Sequence, residues 1–394
     1  MTPTIGLAQT PGTDASSGPA LVVAAAGVAD VRAAVIAARA RGAALAVRAT
    51  GHGTHAPLEG TVLLDTSGMA GVLVDPERAV ARVGAGAVWS AVHAASAPFG
   101  LAGIAGSHAD VGVTGHTLGG GLSWLSRRFG LAADSVLRAE IVLADGRRVV
   151  ASADEHPDLF WALRGGGTTG VVTSLELRLH HVPEVLAGTA YFPIERAAST
   201  LERYRAWTAA APDALSTAVL LTRTEDGQPA LALRALYAGD PDAGRRVLGP
   251  LFEAAGTPFF DGLRAVRFAD AAMGGTRPHQ VELLDALPDA AIDALVAAAA
   301  TGTTVEVRQW GGAIAAPEPG AGPVGARGTA LSVVADGHVP GLAEHATGGT
   351  FLNFLSDTRR TADAFTATDL RRLRAVKRSY DPGNLFRAQH SVAD

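Results

Sequence analysis

Three histidines of this chain stand among glycines. His52 lies in Arg48-Ala49-Thr50-Gly51-His52-Gly53, His108 follows Gly106-Ser107, and His116 sits inside Gly112-Val113-Thr114-Gly115-His116-Thr117-Leu118-Gly119-Gly120-Gly121. A second glycine cluster runs from Gly165 to Gly170. Glycine has no Cβ, so its backbone N–H can approach an anion closely and turn where other residues cannot. Either cluster alone reads as tight turns. Both together, with the loop at Thr50 to Gly53, read as a cradle for a pyrophosphate. Taken singly, His52 is an ordinary loop histidine, and His108 and His116 are structural imidazoles. No G-x-G-x-x-G follows a strand and opens a helix, so this is not a Rossmann dinucleotide fingerprint. Further on, Thr304 to Gly312 alternates so that Glu306 and Arg308 share one strand face while Val305, Val307 and Gln309 share the other.

The elements that must position these residues fall into two patterns. Ala20–Ala26, a helix at Val31–Arg41 and Ala44–Val47 make a β-α-β opening into the His52 loop. Short strands follow at 62–64, 71–74 and 79–83, then a short helix at 89–95, a strand at 136–143 and a hairpin turn at Asp145-Gly146. A helix at 159–163 and a strand at 171–179 close this half. His180 to Glu184 reads as a boundary. Beyond it, strands at 215–222 and 230–237 alternate with helices at 197–210, 243–255 and 290–300, an α+β pattern with helices on one face of an antiparallel sheet. A basic helix at 369–377 ends the chain.

With 394 residues, two domains or two lobes around a cleft are expected. Hydrophobic residues at 48% and charged residues at 18% allow a large core. The net charge of −5 implies no basic surface for nucleic acid. There is no cysteine, which excludes disulfides, thiolate nucleophiles and cysteinyl cofactor links. Lysine occurs once, at Lys377, which excludes a lysine-based P-loop. Residues 1–18 read as a loose polar tail without the basic start and apolar core of a signal peptide, and no stretch suits a bilayer span. A cytoplasmic location is the expectation, with no membrane partner. His52 and His55 have no carboxylate at a spacing that completes a metal site.

Several of these motifs in this order resemble the berberine-bridge-enzyme-like FAD-linked oxidoreductases of bacteria, within the PCMH-type (vanillyl-alcohol-oxidase) superfamily. The matching blocks are Arg48 to His52, Val111 to Gly121, Ser126 to Asp134, Asp158 to Gly167, Gly170 to Thr173, and Arg378 to Arg387. The likeness is dense over 20–183, looser over 303–390, and only a pattern over 184–300. It implies an FAD-binding PCMH-type domain over 19–183, a substrate-binding domain over 184–350, and a C-terminal segment, 351–394, that returns to the FAD domain.

The resemblance also implies roles. His52 matches the histidine linked to the flavin 8α-methyl, with Arg48, Thr50, Gly51 and Gly53 forming its loop. Relatives often add a cysteine link, but His108 follows Gly106 and Ser107 here, so attachment would be through His52 only. The loop from Gly106 to Thr114, with Val111 and Gly112, and the turn at Gly119, Gly120 and Gly121 would hold phosphates and ribose, with Gly115 and His116 between them. The 165–173 segment, with Gly167, Gly170 and Val172, would support the adenine side. Val113 falls where relatives tune oxygen access, and Asn353 matches an asparagine near the flavin pyrimidine.

The implied activity is oxidation of a small alcohol, sugar-like polyol or natural-product intermediate by hydride transfer to flavin N5, with O2 as acceptor. Phe351 and Phe354 stand where relatives carry tyrosines, so the base must come from elsewhere. Glu306 is the leading base, or else a solvated carboxylate on the outer face. Gln309, polar on the apolar face, would hold the substrate. His116 lies close to the flavin by motif and would chiefly hold the loop. A non-redox cyclase, or a flavin-binding protein without turnover, stays open on the missing tyrosines.

Overall fold

The computed structural model describes residues 18–53, 58–167, 169–271, 273–387 and 390–393. The expected tail over 1–18, apart from Gly18, lies outside these residues, as do Thr54, His55 and Thr168.

The chain opens with β1 (Leu21–Ala24), α1 (Val28–Ala40), β2 (Leu45–Arg48) and β3 (Val62–Asp65), a parallel sheet of order β1-β3-β2. Helix α1 starts where the Asp30 carboxylate accepts the N–H groups of Ala26 (2.9 Å) and Gly27 (3.1 Å), a side-chain cap reaching back over the helix start. Its buried stripe, Val31, Ala34, Val35 and Ala38, repeats at helical period and packs on Val23, Leu45, Val62 and Leu64. Burying each of the two valines stabilises by roughly 1.5–3 kcal/mol over exposure.

Next come β4 (Val72–Asp75), β5 (Val80–Gly84), α2 (Trp89–Ser96), β6 (Leu101–Ala102), α3 (Val113–Leu118) and α4 (Ser126–Phe129). They are followed by β7 (Val136–Val142), β8 (Arg148–Ser152), α5 (Pro157–Leu163), β9 (Val171–Arg178) and β10 (His180–His181). A five-stranded antiparallel sheet of order β4-β5-β9-β7-β8 results, and β10 pairs with β6.

The second lobe contains β11 (Val185–Pro193), α6 (Ala197–Trp207), β12 (Leu215–Arg223), β13 (Pro229–Tyr237), α7 (Pro241–Ala255), β14 (Phe260–Asp261) and β15 (Arg264–Val266). It continues with β16 (Gln280–Leu284), α8 (Asp289–Ala300), β17 (Val305–Gln309) and β18 (Leu331–Ala335). These eight strands form one antiparallel sheet, with the path β14-β11-β13-β12-β17-β18-β16 and β15 beside β11. Strand parity separates its faces. Val219, Leu221, Leu231, Leu233, Val305, Val307, Leu331 and Val333 pack with α6, α7 and α8, whereas Ala187, Ala218, Leu220, Ala232 and Leu236 join the core of the first lobe.

The lobes are also tied by polar bonds. Buried Arg127, on α4, donates to the carbonyls of Leu215 (2.7 Å), Ala211 (3.1 Å) and Trp310. Arg327 grips Asp134 through two bonds of 2.6 and 2.9 Å. Helix α9 (Ala367–Tyr380) then returns to the first lobe, burying Leu373 and Val376 in its core, and Leu385 accepts the N–H of Leu45 at 2.9 Å. The fold is α+β. Among the described residues, no helix is long and apolar enough to cross a membrane.

Candidate active site

A cavity of about 610 Å³ lies between the glycine loops of the first lobe and the inner face of the eight-stranded sheet. That volume suits a cofactor or drug-sized ligand. Arg48, Thr50, Gly51, His52 and Gly53 line it from the loop after β2. Arg48 is anchored by Asp65 at 2.8 Å, and its carbonyl accepts from the Thr66 hydroxyl. The His52 N–H donates to Thr50 Oγ1 at 3.3 Å, which tightens the loop and leaves the imidazole exposed.

Gly106, Ser107, His108, Val111 and Gly112 line the next stretch of wall. The rings of His52 and His108 lie 6.4 Å apart, so the two imidazoles face one end of the cavity together. Ser107 Oγ accepts from the Trp124 indole at 3.2 Å.

The glycine-dense stretch hides a helix. α3 begins after Gly112 and ends at Gly119. Its Thr114, Gly115, His116, Leu118 and terminal Gly119 line the cavity, as do Gly167, Gly170 and Val172 from the segment before and within β9. Thr114 Oγ1 is buried without a hydrogen-bond partner among the described residues, and a side chain on Gly115 would meet open space. Asn353 closes this wall: its Oδ1 accepts from Gly121 N at 2.7 Å and its Nδ2 donates to His116 O at 3.2 Å.

His116 is wedged into the wall. Its Nδ1 accepts from the Trp89 indole at 3.2 Å, and its Nε2 bonds the Leu122 carbonyl at 3.3 Å. The neutral Nε2–H tautomer satisfies both bonds. Burial pushes its pKa down to about 4, against the Leu122 hydrogen bond that raises it. It therefore positions the glycine loop, and neither nitrogen is left to take a substrate proton.

Three cofactor positions expected from the motif stand back from the cavity. Val113 is fully buried in the first lobe's core. A Cβ on Gly120 would meet Phe351 at 2.7 Å, and one on Gly121 would meet Ala132 at 2.4 Å. These are packing positions, and Gly121 has φ of +78° besides.

Gln309 requires a correction too. The apolar face of β17 turns to the helices, and Gln309 turns with it: Oε1 accepts from Thr217 Oγ1 (3.1 Å) and Nε2 donates to Thr208 O (2.8 Å). It does not reach the cavity. The charged face does. Glu306 and Arg308, with Ser332 and Val334 of β18, form the wall opposite the glycine loops.

Glu306 is buried. Its Oε2 accepts from Thr276 N (3.2 Å), Thr276 Oγ1 (3.0 Å) and Arg234 Nη1 (3.2 Å), while Oε1 has no hydrogen bond among the described residues. Arg308 lies with Cζ 4.0 Å over the Trp124 ring. Thr276, Arg277, Ser332 and Thr114 were not singled out from sequence. Only Thr114 had a signal, its place inside the glycine motif. Phe354 lines the cavity, while Phe351 packs behind it against Trp310 at 5.4 Å between ring centres. Among the described residues no group of three or more His, Cys, Asp or Glu could hold a metal.

Residues 19–152 match the family model described as FAD binding domain, and residues 350–393 match berberine and berberine-like. The chain is 40% identical over 136 residues to (R)-6-hydroxynicotine oxidase of Paenarthrobacter nicotinovorans, covering 34% of this chain and 30% of that protein. It is 25% identical over 375 residues to the FAD-linked oxidoreductase YgaK of Bacillus subtilis, covering 85% and 82%. The alignments span only 30%, 16% and 26% of the first three curated relatives. The crystal structure of 6-hydroxy-D-nicotine oxidase from Arthrobacter nicotinovorans superposes with a TM-score of 0.83 at 25% identity, over 95% of this chain and 92% of that one.

Proposed function

This chain belongs to the berberine-bridge-enzyme-like FAD-linked oxidoreductases, and we propose that it oxidises a small organic substrate, an alcohol, a sugar-like polyol or a natural-product intermediate, passing the electrons to O2. The observation that carries this reading is the cavity itself. One wall is glycine backbone with an orphaned Thr114 hydroxyl, and the other is a polar sheet face with a buried carboxylate.

The residues present fit FAD. Glycine backbone at 51, 106, 112 and 115 leaves N–H groups near the cavity surface, as a dinucleotide's phosphates require. The loops at 48–53 and 106–115, with Gly167, Gly170 and Val172, would hold the cofactor, and Asn353 would hold its ring system. His52 would form the covalent link. His108 has no thiol, so that link would be single. Bound there, FAD supplies a two-electron acceptor for hydride abstraction from carbon.

The chain's own residues supply the rest. Glu306 is the carboxylate among the described cavity-lining residues. Thr276 and Arg234 fix its Oε2, leaving Oε1 to accept the proton of a substrate hydroxyl or amine. Val334, its partner across the sheet, limits water beside it. The oxidases among the relatives support the choice of O2.

The test is the visible spectrum followed by acid precipitation. Yellow colour that stays with the precipitate, and is lost in His52→Ala, is the expected result. Colour released to the supernatant overturns the covalent link. A protein that never takes up FAD overturns the reading as a whole.

A further inference from the structure

Arg308 is the charge that the proposed chemistry leaves unused. It projects from the middle of β17 onto the cavity side of the sheet and is buried. One face of the guanidinium lies on Trp124, whose indole N–H is itself pinned to Ser107. Its Nη2 has no hydrogen-bond partner among the described residues, and none of them forms an ion pair with it. The nearest acid on its own strand face, Glu306, is committed to Arg234 at 3.2 Å and to Thr276. Arg277, exposed at the rim, adds a further positive charge to this end. The one carboxylate on this face is thus taken by half-buried Arg234, and buried Arg308 is left without a paired acid among the described residues.

A buried guanidinium is costly unless paired and hydrogen-bonded. Burial pushes the pKa of Arg308 down to about 10, opposed by Glu306, so it stays charged at neutral pH. The planar fork of arginine matches a carboxylate in two-point contact. The cavity surface as a whole is mostly apolar, with Val334, Leu352 and Phe354 among its lining. Positions 306 and 308 are about 7 Å apart along a strand, within reach of one small molecule.

We propose that the substrate is a carboxylic acid with an apolar body, and that Arg308 binds its carboxylate while the carbon to be oxidised lies beside Glu306. Arg308 is thereby the specificity-determining residue of the site. This rests on the flavoenzyme reading above and narrows it to a substrate class.

The test titrates the flavin-loaded protein with benzoate and phenylacetate and, separately, with benzamide and phenylacetamide, following the flavin absorption band. Both acids are expected to perturb the band saturably, with the amides weaker by about tenfold or more. In Arg308→Met the acids should weaken roughly 10- to 100-fold, the scale of a charged two-point contact, while the amides are unmoved. Arg308→Lys, which keeps the charge without the fork, should fall between. Urea midpoints of both variants report whether they fold, and the lysine variant carries the test if the methionine variant does not.

Equal binding of acids and amides, no response to either acid, or unchanged acid affinity in the variants overturns the proposal. If Arg308 serves the flavin instead, the variants lose flavin affinity and keep the acid preference, which also overturns it. A protein that never binds FAD fails the earlier reading, visibly and before any titration. Emission of Trp124, stacked on Arg308, then follows the same titrations and decides the carboxylate question separately.

Discussion

Acid should unfold this protein well above the pH at which carboxylates protonate. His93, His116 and His180 are each pushed down to about 4, in every case chiefly by burial. His93 packs edge-on to Phe268 with a buried, unpartnered Nε2. His116 bridges Trp89 and Leu122. His180 stacks on Phe129 at 4.2 Å, near the charges of Arg178 and Arg128, which lower it further.

In the unfolded chain each imidazole titrates near 6.5. Below that pH the unfolded state takes up protons that the folded state refuses until about 4. Stability is therefore full above about 6.5, falls as the pH drops through the window, and levels off near 4. Each histidine contributes a slope approaching ~1.4 kcal/mol per pH unit. Between about pH 7 and about pH 5 the loss is roughly 2 kcal/mol for each, or about 6 kcal/mol together. Urea unfolding of the holoprotein across that range, at constant ionic strength and followed by tryptophan emission and circular dichroism, measures it. His93→Leu should remove about a third of the slope and leave the neutral-pH midpoint equal or higher, because it deletes an unpartnered buried nitrogen. A midpoint flat with pH, or a His93→Leu slope equal to wild type, would refute the reasoning.

Two shorter predictions concern the site. In Gly119→Ala the new Cβ would lie 2.4 Å from Asn353 Nδ2, pushing that amide off Gly121 N and His116 O. The flavin-to-protein absorbance ratio should fall, Asn353→Ala should reproduce the fall, and an unchanged ratio in both would contradict the role given to Asn353. Glu306→Gln keeps the side chain's shape and removes the base. With any substrate that bleaches the flavin, anaerobic reduction should slow by about 10²- to 10⁴-fold at unaltered flavin content, and a wild-type rate would assign the proton elsewhere.

The local order of this fold was readable because local chemistry decides it. Gly27, Asp30 and the apolar Val31, Val35 and Ile36 declare α1 within a few residues of its bounds, although Ile36 ends up exposed and the buried stripe is completed by Ala34 and Ala38. The Asp145-Gly146 turn declares the β7–β8 hairpin, whose glycine has φ of +83°. Helix α3 was not readable, since glycine at both ends masks a segment held by tertiary contacts, Trp89 on His116 and Asn353 on its final turn. Strands β16 and β18 were missed for a similar reason: the pairing of β18 with β17 and β16 makes them strands, while their residues alone are ambiguous.

The wall of glycine loops was marked out by residue type alone, because only glycine lets backbone meet a ligand so closely. Parity on β17 was equally plain: Glu306 and Arg308 had to share a face, and Gln309 had to oppose them. Which face met the cavity was not a property of the strand. Alternation specifies two sides but does not say what packs on either. Here α6, α7 and α8 cover the side bearing Val305, Val307 and Gln309, because valine there buries at no polar cost. The charged side is left for the cavity, where a ligand can satisfy it. That choice, which turned Gln309 into a core amide and Arg308 into the proposed substrate contact, was made by tertiary packing alone.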